Sequence, residues 1–250
     1  MEISIAAEKL FSIGALPITN ALMIGVIIST LLIFFITRVT KSMTLVPRGL
    51  QNVIEIVFEA LLNLVESVTQ DKKQARQFFP LIATIFLFVL FSNWAGLLPG
   101  LGTVGLTHET GGHAPIIPFL RSTSADLNFT LALSLITVIA VQFTGITALG
   151  LLKYGKKFFI SPFHKPYGIG TAVGVLELIS EIGKVISFTF RLFGNVFAGE
   201  VLLTVMLHLV PYLLPLPFLF LEVFVGLIQA VVFAMLTLVF LKMATLEPEH

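Results

Sequence analysis

Ser187-Phe-Thr-Phe-Arg191-Leu-Phe-Gly-Asn195-Val-Phe-Ala-Gly-Glu200 sets a permanent cation inside an almost unbroken apolar helix. An arginine in hydrocarbon costs about 2.5–3.5 kcal/mol on insertion scales, so such a residue points to function. Guanidinium keeps its proton under protein conditions, so burial cannot neutralise it as it can a lysine. Something polar or negative must meet it.

The surroundings of this stretch are those of a membrane. Hydrophobic residues make up 56% of the 250 and charged residues 12%, with a mean hydropathy of +1.01. These values exclude an ordinary soluble domain and indicate a multi-spanning helical membrane protein. A net charge of +1 with no basic patch gives no sign of a nucleic-acid partner. Cysteine is absent, which removes disulfide, thiol and cysteine-metal chemistry. The first residues lack a basic region, so the first apolar run reads as a retained span and not as a cleaved signal peptide.

Apolar runs of the length a bilayer needs, about 20 residues, fall at 16–37, 78–98, 127–152, 170–209 and 213–243. The fold expected is therefore all-α, one integral membrane domain over 1–250 with about five transmembrane helices. Ten of the 15 Lys and Arg residues lie between spans one and two or between spans three and four. The stretch 99–126 carries Arg121 alone. The basic side is expected to be cytoplasmic (or matrix or stroma), placing the N-terminus outside and the C-terminus inside.

The last two runs exceed what a perpendicular span requires. At 1.5 Å per residue, about 38 helical residues reach roughly 57 Å, against a hydrocarbon core of about 30 Å. Pro211, Pro215 and Pro217 separate these runs, so they read as a long, strongly tilted antiparallel hairpin. At 50–70, Asn52, Glu55, Glu59, Asn63, Glu66 and Gln70 recur at helical spacing, as on an interfacial amphipathic helix. Its acidic face suits a protein partner better than anionic lipid; a plain surface helix is the alternative.

On a helical wheel, Glu177, Glu181, Lys184, Arg191 and Asn195 fall in one narrow sector flanked by Ser180 and Ser187. Glu200 points nearly the opposite way, about 13 Å along the axis from Arg191. The last helix adds Glu222 and Gln229 on one face, and Gly226, Ala230 and Ala234 as a small-residue row. Two readings follow. Internal glue would pair Arg191 with Glu222 or Glu200, and Lys184 with Glu177 or Glu181. Alternatively, carboxylates on separate faces either side of a fixed cation mark two proton routes kept apart by an electrostatic barrier. The second suits Arg191 better, because buried ion pairs seldom gain stability over apolar packing. For Lys184 both readings stand.

Arg191-Leu-Phe-Gly-Asn195 with Ala198-Gly199-Glu200 resembles the signature of subunit a of rotary F-type ATP synthases. Ser92-Asn93-Trp-Ala-Gly-Leu-Leu-Pro99, Ser124-Ala-Asp126-Leu-Asn128 and Gln229-Ala230 extend the similarity from about residue 45 onward. The resemblance implies a non-catalytic, cofactor-free stator, in which proton flow through two offset half-channels turns a ring of c subunits and drives ATP synthesis. It also implies b-type peripheral stalk subunits, the rest of the complex and the lipid bilayer as partners. Arg191 would be the essential arginine facing the ring, with Asn195 and Gln229 as its polar neighbours. Glu200 and Glu222 would match the paired positions of the outer half-channel, where some relatives carry His. Glu177, Ser180, Lys184 and Ser187 would line the cytoplasmic one, and His208 is read as a helix-end residue. The location expected is a bacterial plasma membrane, with thylakoid or organelle membranes as alternatives. Sodium coupling remains open, since the coordinating ring carboxylate belongs to another chain.

Rivals are weaker. His108-Glu-Thr-Gly-Gly-His113 fails the H-E-x-x-H zinc pattern, because Gly112 occupies the second histidine's place and paired glycines oppose a helix. A flexible external loop is the reading there. A serine hydrolase would need a histidine base within a span. A stand-alone secondary transporter would show an internal repeat and broken midplane helices, and neither is visible.

Overall fold

A computed structural model of the chain describes residues 8–14, 16–41, 43–44, 46–98, 105–107, 116–118, 121–155, 169–210 and 215–246. Among these, seven α-helices dominate: α1 (Asn20–Lys41), α2 (Leu50–Thr69), α3 (Lys72–Ala95), α4 (Leu127–Leu149), α5 (Leu151–Gly155), α6 (Ile169–Leu209) and α7 (Pro215–Thr245). Five of them, α1, α3, α4, α6 and α7, are long and apolar enough to cross a membrane. The architecture is that of an all-α integral membrane protein.

Short strands occupy two places where the sequence suggested helix or loop. Residues 16–19, read as the opening of the first span, form β2 (Leu16–Thr19), antiparallel to β1 (Lys9–Ile13). Pro17 explains this: it disfavours helix at the residue before it and offers no N–H to a helical ladder. The helix then starts at Asn20, whose backbone N–H donates to the Glu8 carbonyl at 3.1 Å. In the stretch read as a flexible external loop, β3 (Gly105–Thr107) pairs antiparallel with β4 (Ile116–Pro118). The histidine pair of that loop lies outside the described residues.

Helix ends follow local chemistry. Asp71 and Asp126 cap α3 and α4 by accepting from Lys73 N at 2.8 Å and Asn128 N at 3.0 Å. Pro215 opens α7, at the position where a missing N–H costs nothing. The third span was read through residue 152, but the chain turns at Gly150, whose φ of 82° glycine adopts freely. Helix α5 then folds back, and Tyr154 fills a slot beside Gly145 where any Cβ would collide with its ring.

The core lies between α3 and α7. Phe78, Ile82, Ile85, Phe86 and Val89 of α3 meet Ala230, Phe233, Ala234, Leu238 and Leu241 of α7. The small row Gly226, Ala230 and Ala234 faces this seam, so the two backbones approach closely. Helix α6 joins through Phe188 and Leu192, and Phe188 packs on Phe233 with ring centroids 4.6 Å apart. Helix α4 presents buried Ser134 and Thr137 hydroxyls that bond their own helix, at 2.8 and 2.9 Å, and packs against α6 and α7. Helix α2 lies on α3 through Leu61 and Val65, and Lys242 of α7 donates to its Val68 carbonyl at 2.6 Å.

Candidate functional site

Helix α6 carries most of the site, and its polar stripe divides into two environments. Glu181 and Lys184 turn inward: their ion pair measures 2.6 Å, and the Lys184 ammonium lies 5.0 Å from the centre of the Phe240 ring on α7. Glu177 is half-buried near them, and Ser180 is exposed. Tyr154 joins this group from α5 and donates to Gln142. Burial first, then the charges of Glu181 and Glu177, push its phenol up to about 12, so it stays a donor at neutral pH.

Farther along, the stripe faces outward. Ser187, Arg191 and Asn195 are exposed, although Phe188 and Leu192 beside them are buried to 2% and 1%. Arg191 Nη2 donates to Ser187 Oγ at 3.1 Å, and among the described residues no carboxylate of its own chain pairs with it. The internal pairing with Glu222 or Glu200 is therefore absent. The exposed face next to it is apolar or small, with Ile179, Gly183, Ile186 and Phe190 before Arg191 and Ala198 after it. This surface suits close contact with another helix.

A second polar group lies about 24 Å along α6 from Lys184. Glu200 of α6 is bound by Arg121, which stands just before a short 3-10 turn, Thr123–Ala125. Arg121 Nε is 3.2 Å from Glu200 Oε1, and Nε and Nη2 donate to Oε2 at 3.4 and 3.3 Å. Arg121 was not singled out as a site residue in the sequence. Its one signal there was being the sole cation of the stretch 99–126.

Glu222 of α7 is 9% exposed and makes no hydrogen bond or ion pair among the described residues. Its carboxyl lies against Gly199, at the place where any Cβ on that residue would sit. Glycine is thus required beside Glu200 for the second carboxyl to fit. Gln229, two turns on, is half-buried. Two bonds from α3 fix this part of α7: Trp94 Nε1 donates to the Val223 carbonyl at 3.0 Å and Asn93 Nδ2 to that of Gly226 at 3.1 Å.

Nearby, Ser92 Oγ, Asn93 Oδ1, Thr123 Oγ1 and Ser124 Oγ are buried without a protein partner among the described residues. Each such group costs about 1–3 kcal/mol unless it finds a partner. His208, exposed at the end of α6, bonds the Thr204 carbonyl of its own helix at 2.9 Å.

Measured along α6, Arg191 is roughly 15 Å from Glu181 and roughly 13 Å from Glu200, at about 1.5 Å per residue. An exposed arginine with no carboxylate partner among the described residues therefore stands, along α6, between two polar groups.

A family model described as ATP synthase A chain matches residues 20–242. "ATP synthase subunit a" of Campylobacter jejuni (serotype O:6, strain 81116) is 37% identical over 215 residues, covering 84% of this chain and 83% of that protein. The Moorella thermoacetica protein of the same name is 33% identical over 234 residues, or 93% and 94%. That of Helicobacter pylori strain P12 is 36% identical over 231 residues, or 90% and 89%. With five helices long and apolar enough to cross a membrane, the chain belongs to the ATP synthase A chain family, the multi-pass membrane subunit a of F-type ATP synthases.

Proposed function

We propose that this chain is the stationary, non-catalytic subunit that conducts protons past a rotating ring of c subunits, held by b-type peripheral stalk subunits within the complete synthase. The observation that carries this reading is the exposed, carboxylate-free Arg191, set between two separate polar groups. Glu200 and Glu222 belong to the path on one side, and Asn195 and Gln229 are polar neighbours of Arg191. Glu177, Ser180, Lys184 and Ser187 belong to the other path, which opens to the cytoplasm of a bacterial cell.

A ring carboxyl that arrives protonated meets the guanidinium, which stabilises its ionised form, and the proton leaves through the adjoining path. The same cation repels a proton moving directly between the two paths. That separation matters because each charge crossing the membrane yields about 2.3 kcal/mol per 100 mV, and a leak would dissipate it. The small and apolar residues beside Arg191 allow the ring helix to approach.

The test uses the whole synthase in inverted membrane vesicles. Arg191→Ala and Arg191→Lys should both abolish ATP-driven acidification, the latter because a desolvated lysine can lose its proton. Normal acidification with Arg191→Lys would overturn the reading. Acidification should also proceed without sodium; an absolute sodium requirement would reassign the ion.

A further inference from the structure

We infer that Arg121 is a positioning residue for proton transfer, holding Glu200 in an ion pair that opens whenever Glu200 takes a proton and leaving Glu222 as the freely exchanging carboxyl. This rests on the proposed function and assigns different tasks to its two outer carboxyls.

The geometry separates them. Glu200 accepts from two nitrogens of a guanidinium whose side chain is 7% exposed, while its own side chain is 34% exposed. Its carboxylate is thus reachable by water and anchored from within. Glu222, against the neighbouring Gly199, has no such anchor. Arg121 cannot shed its charge, and the hydrogen bonds it gives Glu200 favour the ionised carboxylate, so the pair is the resting state.

When water delivers a proton to Glu200, an O–H bond forms, the carboxyl becomes neutral and the guanidinium keeps its own protons. The tie to Arg121 is then loosened, and it reforms once the proton has moved on and the carboxylate is ionised again. The charged groups near Glu200 are Arg121, just before the 3-10 turn, Glu8, just before β1, and Glu222 of α7, whose carboxyl lies against the neighbouring Gly199. Glu8 also accepts from Asn20 Nδ2 at 3.5 Å.

The experiment measures ATP-driven acidification, and proton conductance against pH, in vesicles carrying the whole synthase. Arg121→Gln should lower flux about ten- to hundredfold, the usual effect of removing a group that orients a functional one, and should move the pH profile. Arg121→Lys should restore most of that profile, which a merely structural tie would leave unmoved. Arg121→Gln with Glu200→Gln, which removes both charges of this pair, should assemble and match Glu200→Gln alone. An assembled Arg121→Gln synthase with the normal rate and pH profile would overturn the inference. So would a double variant that is worse than Glu200→Gln or fails to assemble. Unimpaired flux in Glu200→Gln would instead remove Glu200 from the proposed path, and the inference with it. A slowed Glu200→Gln beside an indifferent Arg121→Gln would sink the inference alone.

Discussion

Gly199→Ala places one carbon where the Glu222 carboxyl now lies, overlapping its carbon and both oxygens. Because both helices are held at this level, α7 by Trp94 and Asn93 and α6 by Arg121, the backbones cannot simply part. The carboxyl has to swing away. Forcing an extra methyl into a packed site costs about 1–3 kcal/mol, which at about 1.4 kcal/mol per decade reduces the native Glu222 position about five- to 150-fold. If Glu222 exchanges protons from that position, ATP-driven acidification should fall by a similar factor while the synthase still assembles. Glu222→Asp supplies the control. Shortening the side chain by one methylene, about 1.5 Å, withdraws the carboxyl from the new methyl, so the double variant should pump better than Gly199→Ala. Normal pumping by Gly199→Ala, or a double variant no better than the single, would refute the role given to this contact.

Other outcomes follow from individual contacts. Trp94→Phe deletes the 3.0 Å bond to the Val223 carbonyl and should destabilise the α3–α7 seam by about 0.5–1.5 kcal/mol, read as a lowered midpoint in thermal unfolding in detergent. Tyr154 gives a pH effect at the other end. Its phenol titrates near 10.0 when unfolded and about 12 when folded. Between those values the folded state holds more protons, so its stabilising effect is complete below pH 10.0 and fades as the pH rises through about 12. Tyr154→Phe should remove that decline from an alkaline unfolding series; an unchanged slope would show that another group causes it.

The apolar runs could be read because hydrophobicity in a membrane is local and needs no partner. The small row on α7 was legible for the same reason, since residues four apart share a face whatever they meet. The Lys184–Glu181 bond lies within one helix turn, so spacing alone allowed it. Arg121 was not legible as a site residue. It sits in a stretch without periodicity, 79 residues from its partner, and that pairing comes from tertiary packing. The wheel also overstated the unity of the α6 stripe. It assumes one environment along the helix, whereas α7 covers the Glu181 and Lys184 level and leaves Arg191 uncovered. Tyr154 depended on a reversal at Gly150 that hydropathy across the junction does not register.

The bare guanidinium on α6 also bears on how cells handle surplus copies. An orphan chain would present that cation to acyl tails, at about 2.5–3.5 kcal/mol for a residue near mid-bilayer. With native folds worth about 5–15 kcal/mol in all, such a burden is a sizeable share of the total. Unassembled molecules would thus be the first cleared by quality control, tying abundance to that of whatever shields Arg191.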